Sequence, residues 1–120
     1  MATAPFPPPA AAFNLSELAA RRAASGETWL QFFQTATLRT GLYVLPAGGV
    51  DDQTPHAEDE IYHVLSGRAV LNIGGDIEGE AYPVAAGSVL YVRAGVAHRF
   101  HSIEEELSVL VFFGGRPVGA

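Results

Sequence analysis

The pattern of apolar and polar positions divides the chain near Thr28, with helical spacing before it and β-rich runs after it. Residues 14–24 place Leu15, Leu18 and Ala19 on one face. Asn14 followed three positions later by Glu17 matches a capping box, Arg21 and Arg22 come late, and Gly26 supplies a stop, so the segment predicts a short helix within 13–26. Segment 28–34 is two-sided: Trp29, Phe32 and Phe33 sit at helical spacing, yet their aromatic character favours strand. Residues 36–45, rich in Thr, Leu, Tyr and Val, read as a strand that ends at the turn Pro46-Ala47-Gly48-Gly49. Further strands are expected at 60–65, 68–73, 89–92, 97–101 and 107–113. Gly-rich or acidic turns separate them, notably Gly74-Gly75-Asp76 and Glu104-Glu105-Glu106. Short strands without βαβ alternation predict an all-β antiparallel sandwich or barrel over 27–115. Residues 1–12, with Pro5, Pro7, Pro8 and Pro9, read as an extended or disordered arm.

Composition narrows the classes of function. At 120 residues with 48% hydrophobic content the chain supports one core. A small apolar β domain has edges to hide, which points to a homodimer. The net charge is −6 and all seven basic residues are Arg, which argues against a nucleic-acid footprint and against anionic membranes. With no Cys there is no disulfide framework, thiolate nucleophile or Cys-zinc site, which is compatible with a reducing cytoplasm. No basic region precedes an apolar run at the N-terminus, and the longest apolar stretch, 109–113, is too short to span a bilayer. A cytoplasmic location is therefore expected.

The chemistry concentrates in two segments. Pro55-His56-Ala57-Glu58-Asp59-Glu60-Ile61-Tyr62 carries a His and a Glu, and the segment from Gly87 to His98 carries a second His. Imidazole and carboxylate together suit Fe, Mn, Ni, Co and Zn. Neither segment suffices alone, so the reading requires a fold that brings them together. No phosphate-binding Gly loop or nucleophile elbow is present.

These residues carry a resemblance. Gly48, Thr54, His56, Glu60 and Gly67 are spaced like the first cupin motif, and Gly87, Arg93, Gly95, His98 and Ser102 like the second. The family has His where Thr54 stands, Pro where Arg93 stands and Asn where Ser102 stands. The resemblance implies a small jelly-roll barrel, a double-stranded β-helix, with a divalent metal (Fe, Mn, Ni or Zn) in its mouth. It carries over His56, Glu60 and His98 as ligands. Thr54 is a poor neutral donor, and the amide oxygen of Gln53 is a possible substitute if a local irregularity near Pro55 re-aims it.

Strand alternation sorts the remaining candidates. Tyr62 and Phe100 lie two residues from Glu60 and His98 and should point into the barrel, whereas His63 and His101 should turn to the opposite face. Trp29 and Tyr91 are further candidates for the pocket wall, set against the ordinary role of aromatics as packing. Arg93 either anchors a substrate carboxylate or phosphate or pairs with surface acids, the second being favoured. Asp51, Asp52, Glu58 and Asp59 read most simply as solvated loop charges. The functional expectation is a cupin that binds or acts on a small organic molecule through its metal, as an oxygenase, isomerase or lyase if it is an enzyme. The alternatives are a non-catalytic binder of a sugar-like ligand, with the metal structural or absent, and an interaction protein that uses its apolar edges.

Overall fold

The computed structural model describes residues 7–75 and 79–115. Among them are one helix, α1 (Leu15–Ser25), and six strands: β1 (Trp29–Gln34), β2 (Leu38–Leu45), β3 (Asp59–Ile73), β4 (Glu80–Ala85), β5 (Val89–Val92) and β6 (His98–Gly114). Every strand pairing is antiparallel. The order is β1-β2-β6-β3-β4, with β5 paired to β3 beside β4, so the sheet is a curled, cupin-like sandwich and not a closed ring of hydrogen bonds.

The helix forms where its cap residues place it. Asn14 Oδ1 accepts from the Glu17 amide at 3.2 Å, and Gly26, at φ 74°, ends the helix in the left-handed conformation that glycine adopts without strain. Its one buried side chain, Leu18, packs with Leu42 and Val44 on the outer face of β2. The helical spacing of Trp29, Phe32 and Phe33 resolves as strand. The β1–β2 register shifts between Gln31 and Phe33, and this bulge breaks the period of two.

The two long strands differ most from expectation. Residues 60–65 and 68–73 are halves of one strand, β3, and 97–101 and 107–113 are parts of one strand, β6. The acidic run Glu104-Glu105-Glu106 is therefore not a turn but an exposed part of β6. Shifts in the β3–β6 register between Val64 and Val70 let both strands bend and continue. Bulges also change which residues face inward. On β3 the buried set passes from Glu60, Tyr62 and Val64 to Ala69 and Leu71, and on β6 from His98 and Phe100 to Ile103, Leu107 and Val109. At the crossing, Gly67 (φ 94°) lies so close to β6 that a Cβ there would fall 2.2 Å from the Glu106 carbonyl oxygen.

β4 has no counterpart among the expected strands, and it carries Pro83, which cannot donate to a ladder. It is tolerated because β4 ends the sheet path, where one edge needs no donor. Residues 7–12 are exposed and form neither helix nor strand, and 1–6 lie outside the described residues, as does Asp76 of the expected Gly74-Gly75-Asp76 turn. No helix among the described residues is long and apolar enough to cross a membrane.

Candidate metal centre

The two motif segments are knitted together by hydrogen bonds from backbone amides of the second to the first. The Gly95 amide donates to the His56 carbonyl at 2.7 Å, and the Ala94 amide donates to the Asp59 carboxylate at 2.9 Å. Glu60, near the start of β3, and His98, at the start of β6, point into the fold beside the loop that carries His56. The ligand atoms of His56, Glu60 and His98 lie within 4.8 Å of one another.

The polarity of this cluster calls for a cation. His98 Nδ1 lies 2.8 Å from the Val96 carbonyl oxygen, which only accepts, so Nδ1 carries the proton and Nε2 of the neutral ring presents a lone pair. That Nε2 faces Glu60 Oε1 at 3.0 Å and Gln53 Oε1 at 3.2 Å. Three acceptors facing one another are held together by a proton or a metal ion. Among the described residues, Glu60 Oε1 is the buried side-chain oxygen or nitrogen left without a hydrogen-bond partner, its 3.0 Å approach to His98 lacking hydrogen-bond alignment. A buried carboxylate oxygen in that position costs free energy unless a cation meets it. Burial pushes the pKa of His98 down, but contact with Glu60, the Val96 carbonyl and the Glu60 and Asp51 charges outweigh it, and the net shift is upward. Burial also lowers His56, more than the Glu60 charge raises it. The neutral His56 ring is the form that ligates metal.

Thr54 and Gln53 separate cleanly. Residues 46–58 form no strand, and Thr54 is exposed. Gln53 turns inward instead. Its Oε1 accepts from the Tyr62 hydroxyl at 3.0 Å and lies 3.3 Å from His56 Nε2.

Beside the cluster opens a cavity of about 190 Å³ lined by Trp29, Arg39, Tyr43, Tyr62, Val111 and Phe113 together with Gln53, His56 and Glu60. Trp29 and Tyr62 thus stand in the wall. Phe100 is buried behind it, its ring 5.1 Å from that of Tyr62. Tyr91 and Arg93 are not brought to the cavity. Tyr91 follows the outward alternation of β5, is 55% exposed, and directs its hydroxyl to Asp59, while Arg93 is exposed. His63 and His101 do not line the cavity either, and His101 lies beside Asn72 and Ser102.

Arg39 and Tyr43 bear directly on the site without having been expected there, and three of the four loop acids expected to be solvated are engaged. Arg39 stands at the cavity with its guanidinium on Glu58, 2.9 Å from Oε1, so Glu58 is a half-buried ion-pair partner. Tyr43 donates to Asp51 Oδ1 at 2.7 Å, and burial, then Asp51, raises its pKa so that it stays protonated. Asp51 is 3% exposed and not solvated at all. Nothing in the local sequence separates Asp51 from its exposed neighbour Asp52, because the donors that bury it come from other elements. Asp59, too, is engaged, by Ala94 and Tyr91.

Comparison with known proteins fits this geometry. The cupin domain family matches residues 41–113. An uncharacterized protein of Streptomyces coelicolor is 53% identical over 102 residues, covering 85% of this chain and 93% of that one. Among solved structures, TT1209 from Thermus thermophilus superposes with a TM-score of 0.67 at 23% identity, over 88% of this chain and 98% of that one. The DMSP lyase DddQ from Ruegeria pomeroyi superposes with a TM-score of 0.64 at 20% identity, over 82% of this chain and 52% of the lyase, so this chain spans about half of its length. These two structural likenesses speak to the fold alone.

Proposed function

This chain belongs to the cupin domain family, and from that premise we propose that it binds a divalent metal through His56, Glu60 and His98 and uses it to hold or transform a small organic molecule in the adjoining cavity. The observation that carries the reading is the convergence of those three side chains around the unpartnered Glu60 Oε1. Two imidazoles and a carboxylate suit Fe, Mn, Ni or Zn, and three ligands leave coordination positions open. When bound, the metal supplies Lewis acidity to an oxygen-bearing ligand. The chain's own groups do the rest. Trp29, Tyr43 and Phe113 offer apolar surface, and Tyr62 keeps its proton, because burial, then the Glu60 charge, raises its pKa, and so serves as a hydrogen-bond donor. If the protein is an enzyme, the reaction lies among metal-dependent oxygenation, isomerisation and elimination.

Elemental analysis of the purified full-length chain, prepared without added metal or chelator, tests this. About one equivalent of metal per chain, lost in His56→Ala and His98→Ala, is the expected result. A chain that holds no metal and takes up none from Fe, Mn, Ni or Zn solutions sinks it. The second reading, a binder that needs no metal, draws on Gln53, whose Oε1 accepts from the Tyr62 hydroxyl and lies 3.3 Å from His56 Nε2 and 3.2 Å from His98 Nε2, so that a proton on His98 Nε2 in place of a metal closes a hydrogen-bonded network. Ligand binding that survives all three alanine substitutions, with Glu60→Ala the third, favours that reading.

Homodimerisation belongs to the same proposal. Ile61, Val89 and Tyr91 lie on neighbouring strands with exposures of 37%, 65% and 55%, an apolar strip that suits a second copy of the chain. Light scattering should give twice the 12.7 kDa chain mass, and Val89→Glu should halve it. A wild-type monomer refutes pairing.

A further inference from the structure

We infer that the side-chain oxygen of Gln53 is a fourth metal ligand, taking the place that Thr54 does not fill, and that Asp51 is the positioning residue that aims it. This rests on the metal-binding reading above.

A glutamine amide has a donating and an accepting end, and its neighbours decide which end faces where. Here the Nε2 end lies 2.6 Å from Asp51 Oδ2. A carboxylate only accepts, so the amide nitrogen must face Asp51 and Oε1 must face His56, His98 and Tyr62. Asp51 is in turn held from other sides. It accepts from the Phe100 amide at 2.8 Å, the Tyr43 hydroxyl at 2.7 Å and the Gln53 amide at 3.3 Å. A reversed Gln53 amide would set its oxygen against a buried carboxylate, which makes the observed orientation the stable one.

The spacing also fits. Gln53 Oε1 is 3.3 Å from His56 Nε2 and 3.2 Å from His98 Nε2, and His98 Nε2 is 3.0 Å from Glu60 Oε1. Neighbouring ligands at right angles about an ion with bonds of about 2.1 Å lie about 3.0 Å apart. These three pairs are therefore already at nearly the separation that coordination demands, and the ligand atoms of His56, Glu60 and His98 all lie within 4.8 Å of one another. Asp51 and Glu60 are both buried acids, and the donors to Asp51 are all neutral, so a divalent cation would also balance the charge.

The test is Co²⁺ titration of the full-length chain, read by calorimetry and by the visible absorption of the bound ion. Gln53→Ala should weaken binding about 10–100-fold and change the spectrum, and Gln53→Glu, which keeps an oxygen toward the metal but whose second oxygen must share a proton with Asp51 Oδ2, should recover part of the binding. Asp51→Asn keeps an acceptor for Phe100 and Gln53 and should retain most of the affinity, while Asp51→Ala should match Gln53→Ala. The Asp51→Ala, Gln53→Ala double variant should be no worse than either single one, because both act through one oxygen. Circular dichroism checks each fold, and if Asp51→Ala does not fold, the Gln53 pair decides. Wild-type affinity and spectrum in Gln53→Ala, with binding lost in His98→Ala, overturns this inference and leaves the three-ligand reading standing. A wild-type chain that binds no Co²⁺ overturns both.

Discussion

The guanidinium of Arg39 lies 3.8 Å from the centroid of the Phe113 ring, while its nitrogens grip Glu58. One side chain from β2 thus covers an aromatic of β6 and ties down the loop that carries His56. Planarity makes both contacts possible, so lysine is not an equivalent. Arg39→Lys is expected to lower stability by about 1 kcal/mol, mostly from the lost stacking and paired hydrogen bonds. It should also loosen the cavity, read as weaker ligand or metal retention. Urea denaturation of both proteins checks the first, and an unchanged midpoint contradicts it.

Gly67 is predicted to tolerate no side chain. It has φ 94°, and an added Cβ would meet the backbone of Glu106. Gly67→Ala must therefore move β3 away from β6 as well as strain its own backbone, at a cost of about 3 kcal/mol. A thermal melt should fall by roughly 10 °C. A melt within a degree or two of wild type would show that the crossing is looser than described.

Gly41 makes room for Trp29. A Cβ at Gly41 would fall 2.3 Å from the Trp29 ring and 2.7 Å from the Leu30 carbonyl oxygen. Gly41→Ala should displace the indole from the cavity wall and destabilise by about 1–3 kcal/mol. Trp29 is the chain's only tryptophan, so its fluorescence reports the change directly. An unshifted emission maximum would mean that the ring had not moved.

Metal retention should weaken in acid, and the sign follows from His98. A proton competes with the metal for Nε2, and the folded site holds that proton more firmly than an ordinary imidazole, because the influence of Glu60 and the Val96 carbonyl exceeds the opposing effect of burial. Loss of affinity should therefore begin above pH 6.5, the ordinary value, and approach about tenfold per pH unit below the raised one. In the metal-free chain the same shift stabilises the fold below pH 6.5, and that contribution disappears as pH rises through the raised value. Calorimetric titrations at about pH 6 and pH 8 check the metal dependence, and equal affinities would exclude proton competition at His98.

Short-range signals explain what could be read early. Asn14, Glu17 and Gly26 specify the helix because capping is settled within a turn or two of the chain. The spacing of His56, Glu60 and His98 marks the candidate centre because motif spacing survives in the linear order. Tyr62 faces inward because it shares the pleat of Glu60 on an unbroken stretch of β3. Alternation fails where the backbone is irregular. It does not apply to Thr54, in a loop, and it cannot carry through the bulges that join 60–65 to 68–73.

The sequence by itself determined an antiparallel β domain with a capped helix, and it identified the two segments whose side chains meet. Tertiary structure alone decided that Asp51 is buried, that Gln53 and not Thr54 turns inward, and that Arg39 stands at the cavity. The reason is distance along the chain. Asp51 is held by the amide of Phe100, 49 residues away, and Arg39 by Glu58 and Phe113, from a loop and another strand. Burial and hydrogen bonding of that kind exist only after the strands have paired, so no local pattern of polar and apolar residues announces them.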